Sequence, residues 1–326
     1  NRYESIIKNM LPRIGERKLV SAVTTEDLLY VRKELLTGYH VMKKDHRTAL
    51  QGRKSSTVNN YMTLMAEIFQ FAADNGYTKE NPFSGINRLK KAKGEPDPLS
   101  TDEFIRFIEA CRHLQMRNLW SLAVYTGMRH GELCGLAWED IDLKAGTLTV
   151  RRNHTQTDEF TLPKTEAGTD RVIFLIQPAI DALKSQAQLT RLGKQYEIEV
   201  QLREYGQSVT HPCTFVFSPQ CTKRGARTGY HYPVNSINKI WAAVIKRAGI
   251  RYRNAYQSRH TYACWSLSAG ANPNFIATQM GHADAQMVYK VYGKWMSEKN
   301  AEQVSILNQA LSRFAPSLPH QLSEVI

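Results

Sequence analysis

The stretch from Asn81 to Pro98 admits no regular element, and it divides the chain. Asn81-Pro82-Phe83-Ser84-Gly85 ends any preceding helix, and Gly94-Glu95-Pro96-Asp97-Pro98 prevents another from starting before residue 99. Between them, Arg88, Lys90, Lys91 and Lys93 place four cations within six residues, where mutual repulsion favours exposed, extended backbone. A chain of 326 residues is long enough for two cores. The expectation is a first domain over 1–87, a basic linker over 88–98 and a second domain over 99–326.

Both sides of this boundary are basic. Residues 1–98 carry 17 basic and 11 acidic side chains, and residues 99–326 carry 26 and 19. The whole chain has a formal charge of +13 and a pI near 9.5. Such a surplus points to a shared polyanionic partner, nucleic acid before membrane. With 42% hydrophobic and 10% aromatic residues the chain is not a disordered polyelectrolyte. No apolar run approaches the roughly 18–20 residues that span a bilayer. Asn1-Arg2-Tyr3-Glu4-Ser5 holds no Met and leads into no signal core, so the sequence reads as part of a longer chain. Five cysteines without a C-x-x-C pair fit a reduced, cytoplasmic protein.

The first part reads as helical. Thr24 and Asp27 form an N-cap pair opening Leu28–Leu36. Ser56-Thr57 opens a longer helix whose apolar positions Val58, Tyr61, Met62, Met65, Ile68, Phe69 and Ala72 follow the helical repeat, stopped by Gly76. The basic stretch 38–54 reads as a loop or a helix edge. In the second part, Ser100-Thr101-Asp102-Glu103 is a capping box, and helical patterns run to about Trp138. A β-rich patch follows at Gly146–Val150, Phe160–Leu162 and Arg171–Leu175, with a turn near Thr157-Asp158. Helical patterns then resume at Pro178–Arg191 and continue to Phe314. The fold class is mainly α with a small antiparallel β-sheet.

Several chemistries are excluded by what the sequence lacks: a Walker A loop, a dinucleotide-binding glycine fingerprint, H-E-x-x-H and G-x-S-x-G. His211, Cys213, Cys221 and His231 fit no standard zinc spacing, and neither metal nor cofactor is expected. Five short segments do carry chemistry. Thr126-Gly127-Met128-Arg129-His130-Gly131-Glu132-Leu133 is a tight turn entering a helix, where Arg129 and backbone N–H groups favour an anion and Glu132 can orient the guanidinium. Lys164 lies on a turn between strands. Tyr256-Gln257-Ser258-Arg259-His260-Thr261, Met280-Gly281-His282 and Tyr289-Lys290-Val291-Tyr292-Gly293-Lys294-Trp295 complete the set.

In this order and spacing, T-G-x-R-x-x-E-L, a strand-turn Lys, R-H-T, G-H and a Tyr ten residues after that His, the chain resembles the tyrosine recombinase family, specifically phage and genomic-island integrases. The resemblance spans most of residues 3–315. It implies a helical core-type DNA-binding domain and a catalytic domain that close as a clamp around duplex DNA. It also implies removal of an N-terminal arm-binding domain. Carried over, Arg129 and Arg259 hold the scissile phosphate, which suits guanidinium forks facing a transition state richer in negative charge. Lys164 protonates the departing 5′ oxygen, His282 donates to the phosphate, Tyr292 is the nucleophile and Glu132 is a supporting acid. The chain departs from the family at Tyr256, where His or Lys is usual three residues before the second Arg. A phenol can donate to phosphate but is a poor base, so assistance to Tyr292 is left open, and His260 is expected to make a structural hydrogen bond. Tyr289, one turn before Tyr292, is read as packing.

The resemblance implies double-stranded DNA attachment sites as substrate, a homo-tetramer on DNA, and accessory DNA-bending or directionality proteins as partners. Arg88, Lys90, Lys91 and Lys93 are expected to follow DNA phosphates. A tail helix over 297–314, with Val304, Ile306, Leu307, Leu311 and Phe314, is expected to pack on a neighbouring protomer. Against strand transfer stand two alternatives: a non-catalytic DNA-binding protein of this fold, and a type IB topoisomerase, which shares the cleavage step but reseals the same strand.

Overall fold

The computed structural model describes residues 2–43, 46–90, 94–222, 229–296, 304–305 and 307–309. They belong to two compact units, Asn1–Gly94 and Glu95–Ile326. No helix among the described residues is long and apolar enough to cross a membrane.

The first unit is a three-helix core with a hairpin. Helix α1 (Arg2–Ile14) turns Ile6, Met10 and Ile14 inward at four-residue spacing. Helix α2 (Thr25–Thr37) starts at a true capping box: the Thr24 hydroxyl accepts from the Asp27 N–H at 3.3 Å, and the Asp27 carboxylate accepts from the Thr24 N–H at 2.8 Å. Between α2 and the next helix, β1 (Gly38–Lys43) and β2 (His46–Gln51) pair antiparallel from Gly38↔Gln51 to Lys43↔His46. This corrects the loop or helix edge expected there. Helix α3 (Ser55–Asp74) buries Val58, Tyr61, Met62, Met65 and Phe69 against Leu28, Val31 and Leu35, while Ile68 of the same repeat is exposed. Burial of each such side chain is worth about 1.5–3 kcal/mol.

The expected linker is shorter at its start than the sequence reading has it. The Asn59 side chain of α3 brackets Leu89, donating to its carbonyl and accepting from its N–H, both at 2.9 Å. Arg88 donates to the Thr63 hydroxyl at 2.8 Å, so this cation is engaged on α3, although exposed. Lys90 is exposed, and Lys91 and Lys93 lie outside the described residues. At the other end, the Asp97 N–H donates to Gln257 and the Leu99 N–H to Thr261, which fixes residues 97–99 to the second unit.

The second unit opens with α4 (Thr101–Glu109), capped reciprocally by Ser100 and Glu103. Helix α5 (Leu114–Thr126) runs through its centre and ends at Gly127; the short α6 (His130–Cys134) follows. Then come β3 (Ile141–Asp142), β4 (Thr147–Val150), β5 (Asn153–His154), β6 (Phe160–Thr161) and β7 (Arg171–Phe174). Helix α7 (Gln177–Thr190) packs on α5, with Gln186 tying Gln115 and the Val216 carbonyl in the interior. The chain goes on through β8 (Tyr196–Gln201), β9 (Ser208–Cys213), α8 (Val234–Arg247), α9 (Gln257–Ser268), α10 (Pro273–Met280) and α11 (Gln286–Tyr292).

Among the described residues the strands of this second unit make two sheets rather than one. One sheet has the order β3-β4-β7 and is antiparallel; the other has the order β5-β6-β8-β9, with β6 and β8 parallel. The β8–β9 hairpin lies within a region that the sequence reading takes as helical segments. Its signal is present, since Tyr196, Ile198 and Val200 alternate with Glu197 and Glu199. Beneath α6, Phe107, Trp120 and Trp241 meet at ring-centroid distances of 4.4–6.2 Å, and His130 sets its edge on Trp120 at 5.7 Å. Of the expected tail helix, Val304 and Leu307 are exposed, while Ile306, Leu311 and Phe314 lie outside the described residues.

Candidate active site

Arg129 sits at the N-cap of α6, where the turn after α5 delivers it. Gly127 makes that turn in the left-handed region, at φ 64°, and a Cβ there would lie 2.4 Å from the Tyr262 ring. Glu132, almost fully buried, accepts from the Arg129 N–H at 2.8 Å and from its guanidinium at 2.9 Å. The same carboxylate takes a bidentate pair from Arg171 at 2.7 and 3.0 Å. These cations, Arg171 first, hold the Glu132 carboxyl below its ordinary range against the opposing effect of burial.

Arg171 is a site residue that the motif reading misses. Besides Glu132 it donates to the Gly168 carbonyl and to the Gln279 carbonyl, both at 3.0 Å. One guanidinium thus ties the α6 turn, the segment after Lys164 and the C-terminus of α10. Gly281, at φ 66°, follows that helix end, and a Cβ on it would come within 3.0 Å of the Arg171 side chain. The sequence hides this role because two of these partners, Glu132 and Gln279, lie 39 and 108 positions away.

Arg259, on the first turn of α9, is 1% exposed. It donates to the Gly127 carbonyl and to the Met280 carbonyl at 2.6 Å, and its Nη2 lies 3.0 Å from His282 Nε2. Burial, then the charge of Arg129, pull its pKa down to about 10. That pocket is short of an anion. His282 is brought to about 4 by burial and by Arg259, so it is neutral at pH 7; its Nδ1 is buried with no hydrogen-bond partner among the described residues. With Nε2 accepting from Arg259, Nδ1 carries the ring proton and remains an unused donor.

Tyr292 ends α11, 3% exposed, with its hydroxyl 2.7 Å from His260 Nδ1. Burial pushes its pKa up, and Arg259 opposes that shift. Tyr289 is 49% exposed, so it does not pack as the sequence reading expects. Three residues advance a helix by about 300°, which leaves the two phenols about 60° apart, enough to separate a buried face from an exposed one. Tyr256 caps α9, is 43% exposed and sets its ring 5.2 Å from that of His260.

Lys164 is exposed and has no polar partner among the described residues. It lies between β6 and β7, strands of different sheets, so the turn is a crossover between sheets and not a hairpin. The next residue anchors it to the site: the Thr165 hydroxyl donates to the Gly281 carbonyl at 3.0 Å, beside His282. The structure therefore brings together Arg129, Glu132, Arg259, His260, His282 and Tyr292, with Tyr256 at the rim and Lys164 on a tethered segment. The His130 ring contacts Asn238 at 3.0 Å and Ser258 at 3.3 Å, tying α6 to α8 and α9.

Among the described residues, the His, Cys, Asp and Glu side chains close enough to share a metal ion are His154, Asp158 and His231, whose ligand atoms lie within 4.8 Å of one another. His154 already bonds Asp158 at 2.9 Å, and both imidazoles stack in an aromatic cluster with Phe160 and Phe215. His211, Cys213 and Cys221 form no such group.

Residues 98–298 match the phage integrase family. The chain is 45% identical to the prophage integrase IntR of Escherichia coli (strain K12), over 95% of this chain and 74% of that protein. It is 59% identical to IntQ of the same strain, whose name marks it as defective, over 98% of this chain and 80% of that protein. The fold is similar to a lambda integrase tetramer bound to a Holliday junction, with a TM-score of 0.60 at 16% identity, covering 91% of this chain and 72% of the other. The two sequence relatives and the matched profile together make this chain a member of the phage integrase family of tyrosine recombinases.

Proposed function

We propose that this chain is a site-specific DNA recombinase that cuts and rejoins strands through Tyr292. The observation that carries the reading is the anion-deficient pocket beside a buried phenol: Arg259 depressed to about 10, an unused His282 donor, and Arg129 positioned by Glu132. Guanidiniums fixed in a low-dielectric pocket stabilise charge as it develops, at no cost of reorganisation. In this reading Arg129 and Arg259 hold the non-bridging oxygens of a phosphodiester and His282 donates to one of them. Tyr292 Oη attacks phosphorus, the P–O5′ bond breaks, and Lys164 protonates the 5′ oxygen. The resulting 3′-phosphotyrosine conserves the bond energy, so a partner strand's 5′-hydroxyl can attack it without ATP or metal. Two such rounds pass through a Holliday junction.

The first unit serves as the core-type DNA-binding domain, and Arg88, Lys90, Lys91 and Lys93 follow phosphates; replacing them with uncharged side chains lowers the log–log salt slope of binding by up to about 0.9 for each phosphate left without its cation. The working form is a homo-tetramer on two attachment sites in the bacterial cytoplasm, with accessory DNA-bending or directionality proteins deciding the outcome. The test uses duplexes of the two junctions flanking the genomic segment that carries the gene, nicked so that the cleaved 5′ fragment diffuses away. The intact protein forms a covalent adduct on denaturing electrophoresis; Tyr292→Phe forms none, and Tyr289→Phe retains it. An adduct that survives in Tyr292→Phe overturns the assignment. Joining of two different junction duplexes separates a recombinase from a topoisomerase.

A further inference from the structure

We propose that His260 is the proton acceptor for Tyr292, a duty the sequence leaves open because position 256 holds a phenol. The proposal rests on the strand-transfer reading. It starts from position: His260 Nδ1 lies 2.7 Å from Tyr292 Oη, and that hydroxyl makes no other hydrogen bond among the described residues. With Tyr292 only 3% exposed, bulk water has little access to take its proton. Tyr256 sits one turn earlier on α9 and contacts the imidazole edge-on, at 75° between planes, rather than bonding Tyr292. Its part is to hold the ring. Successive residues of one helical turn then divide the work, Arg259 toward the phosphate and His260 toward the nucleophile.

The electrostatic setting agrees. Burial, then Arg259, bring His260 to about 4, so the ring is neutral at pH 7 and a lone pair is available. With Nε2 carrying the ring proton, Nδ1 accepts from the phenol. The groups facing the ring are Arg259 and Tyr256 from α9 and Tyr292 from α11, with no carboxylate among those acting on it. A base this weak needs help, and the substrate provides it. A phosphate seated on Arg259 offsets the charge that depresses His260 and raises its basicity when DNA is bound. The step balances: the Oη–H bond breaks with its proton passing to Nδ1, the Oη–P bond forms, P–O5′ breaks, and the 5′ oxygen is protonated from the Lys164 side. On rejoining, the imidazolium returns the proton to Oη as it leaves phosphorus.

The experiment measures single-turnover adduct formation on the nicked junction duplexes between pH 4 and 8, with the intact protein, His260→Gln and His260→Asn. In the intact protein the rate rises with pH and levels off once the imidazole has lost its proton. Both variants form adduct about 10²–10⁴-fold more slowly and lose that titration, with DNA affinity unchanged. A 5′-bridging sulfur, a leaving group that needs no proton, restores Lys164→Ala but neither His260 variant. Wild-type rates with an intact pH limb in either variant overturn the proposal. Because a variant can fail to fold, ¹⁵N spectra of the intact protein provide a second measurement: an unprotonated Nδ1 is expected, and a proton resident on Nδ1 overturns the assignment. No adduct from the intact protein brings down the strand-transfer reading, and this proposal with it.

Discussion

Arg259 and Lys164 are both assigned to the same phosphodiester, yet they are built in opposite ways. Arg259 is 1% exposed and held by two main-chain carbonyls and His282. Lys164 is exposed, and its segment is tethered through its neighbours, Pro163 by Arg203 and Thr165 by the Gly281 carbonyl. The contrast fits the tasks proposed for them. A group that stabilises developing charge works best when fixed in advance, because reorientation during reaction costs free energy. A group that delivers a proton needs to reach its acceptor only when the acceptor arrives. The buried half of the site is part of the fold; in the proposed reaction the exposed half is completed by substrate.

Four measurements test this division, in falling order of effect on stability. Arg171→Met belongs to the buried half and leaves Glu132 with a single guanidinium partner; it is expected to cost about 3–5 kcal/mol in urea unfolding, as breaking a buried ion pair does. A cost below about 1 kcal/mol places Arg171 outside the supporting frame. Acid comes next. His130 falls from 6.5 to about 4, chiefly through burial. The unfolded chain therefore binds a proton that the folded chain refuses between those values, so stability is complete above pH 6.5 and is lost as pH falls toward 4. That loss is about 3 kcal/mol for this one group, read from denaturation midpoints at pH 7.5 and 4. Flat midpoints across that window mean the ring is not held neutral.

The anion-deficient pocket gives a smaller effect. Inorganic phosphate or vanadate at ten times its dissociation constant stabilises the protein by about 1.4 kcal/mol, seen as a higher melting temperature. Arg259→Ala abolishes that rise, and a rise that survives the substitution locates the anion elsewhere. Smallest is Lys164→Ala, expected to change stability by less than about 0.5 kcal/mol while slowing cleavage about 10²–10⁴-fold. A large stability loss there would erase the contrast between the halves.

The motif residues were legible because local geometry writes them into short segments. A turn entering a helix and a carboxylate three residues on mark the Arg129 segment, and the order and spacing of the five segments carry the resemblance that assigns it. The helices were legible for similar reasons: the Thr24 and Ser100 boxes and the repeat of α3 all operate within a few residues. Arg171 was not, because its partners come from distant segments and nothing near it in sequence marks it as special. The partner of His260 was not legible, since its bond to Tyr292 crosses 32 positions. The hairpin at Gly38–Gln51 hid behind His, Lys and Arg that blur a two-residue repeat, whereas β8 displays that repeat openly and was passed over within a helical region. Pairings made across the sequence, more than weak local signals, set the limit at the site.

Three guanidiniums, those of Arg129, Arg171 and Arg259, surround the single Glu132 carboxylate, while both imidazoles beside them are neutral, leaving two uncompensated positive charges. A resting phosphodiester brings one negative charge; a phosphodiester joined by an ionising phenol carries two. In the proposed reaction the phenol proton stays in the cavity on His260, so the net charge is unchanged while negative charge gathers at phosphorus beside the fixed guanidiniums, and the stabilisation grows as the bond changes. Without Glu132 the count would be three, and the cavity would grip intact DNA more firmly.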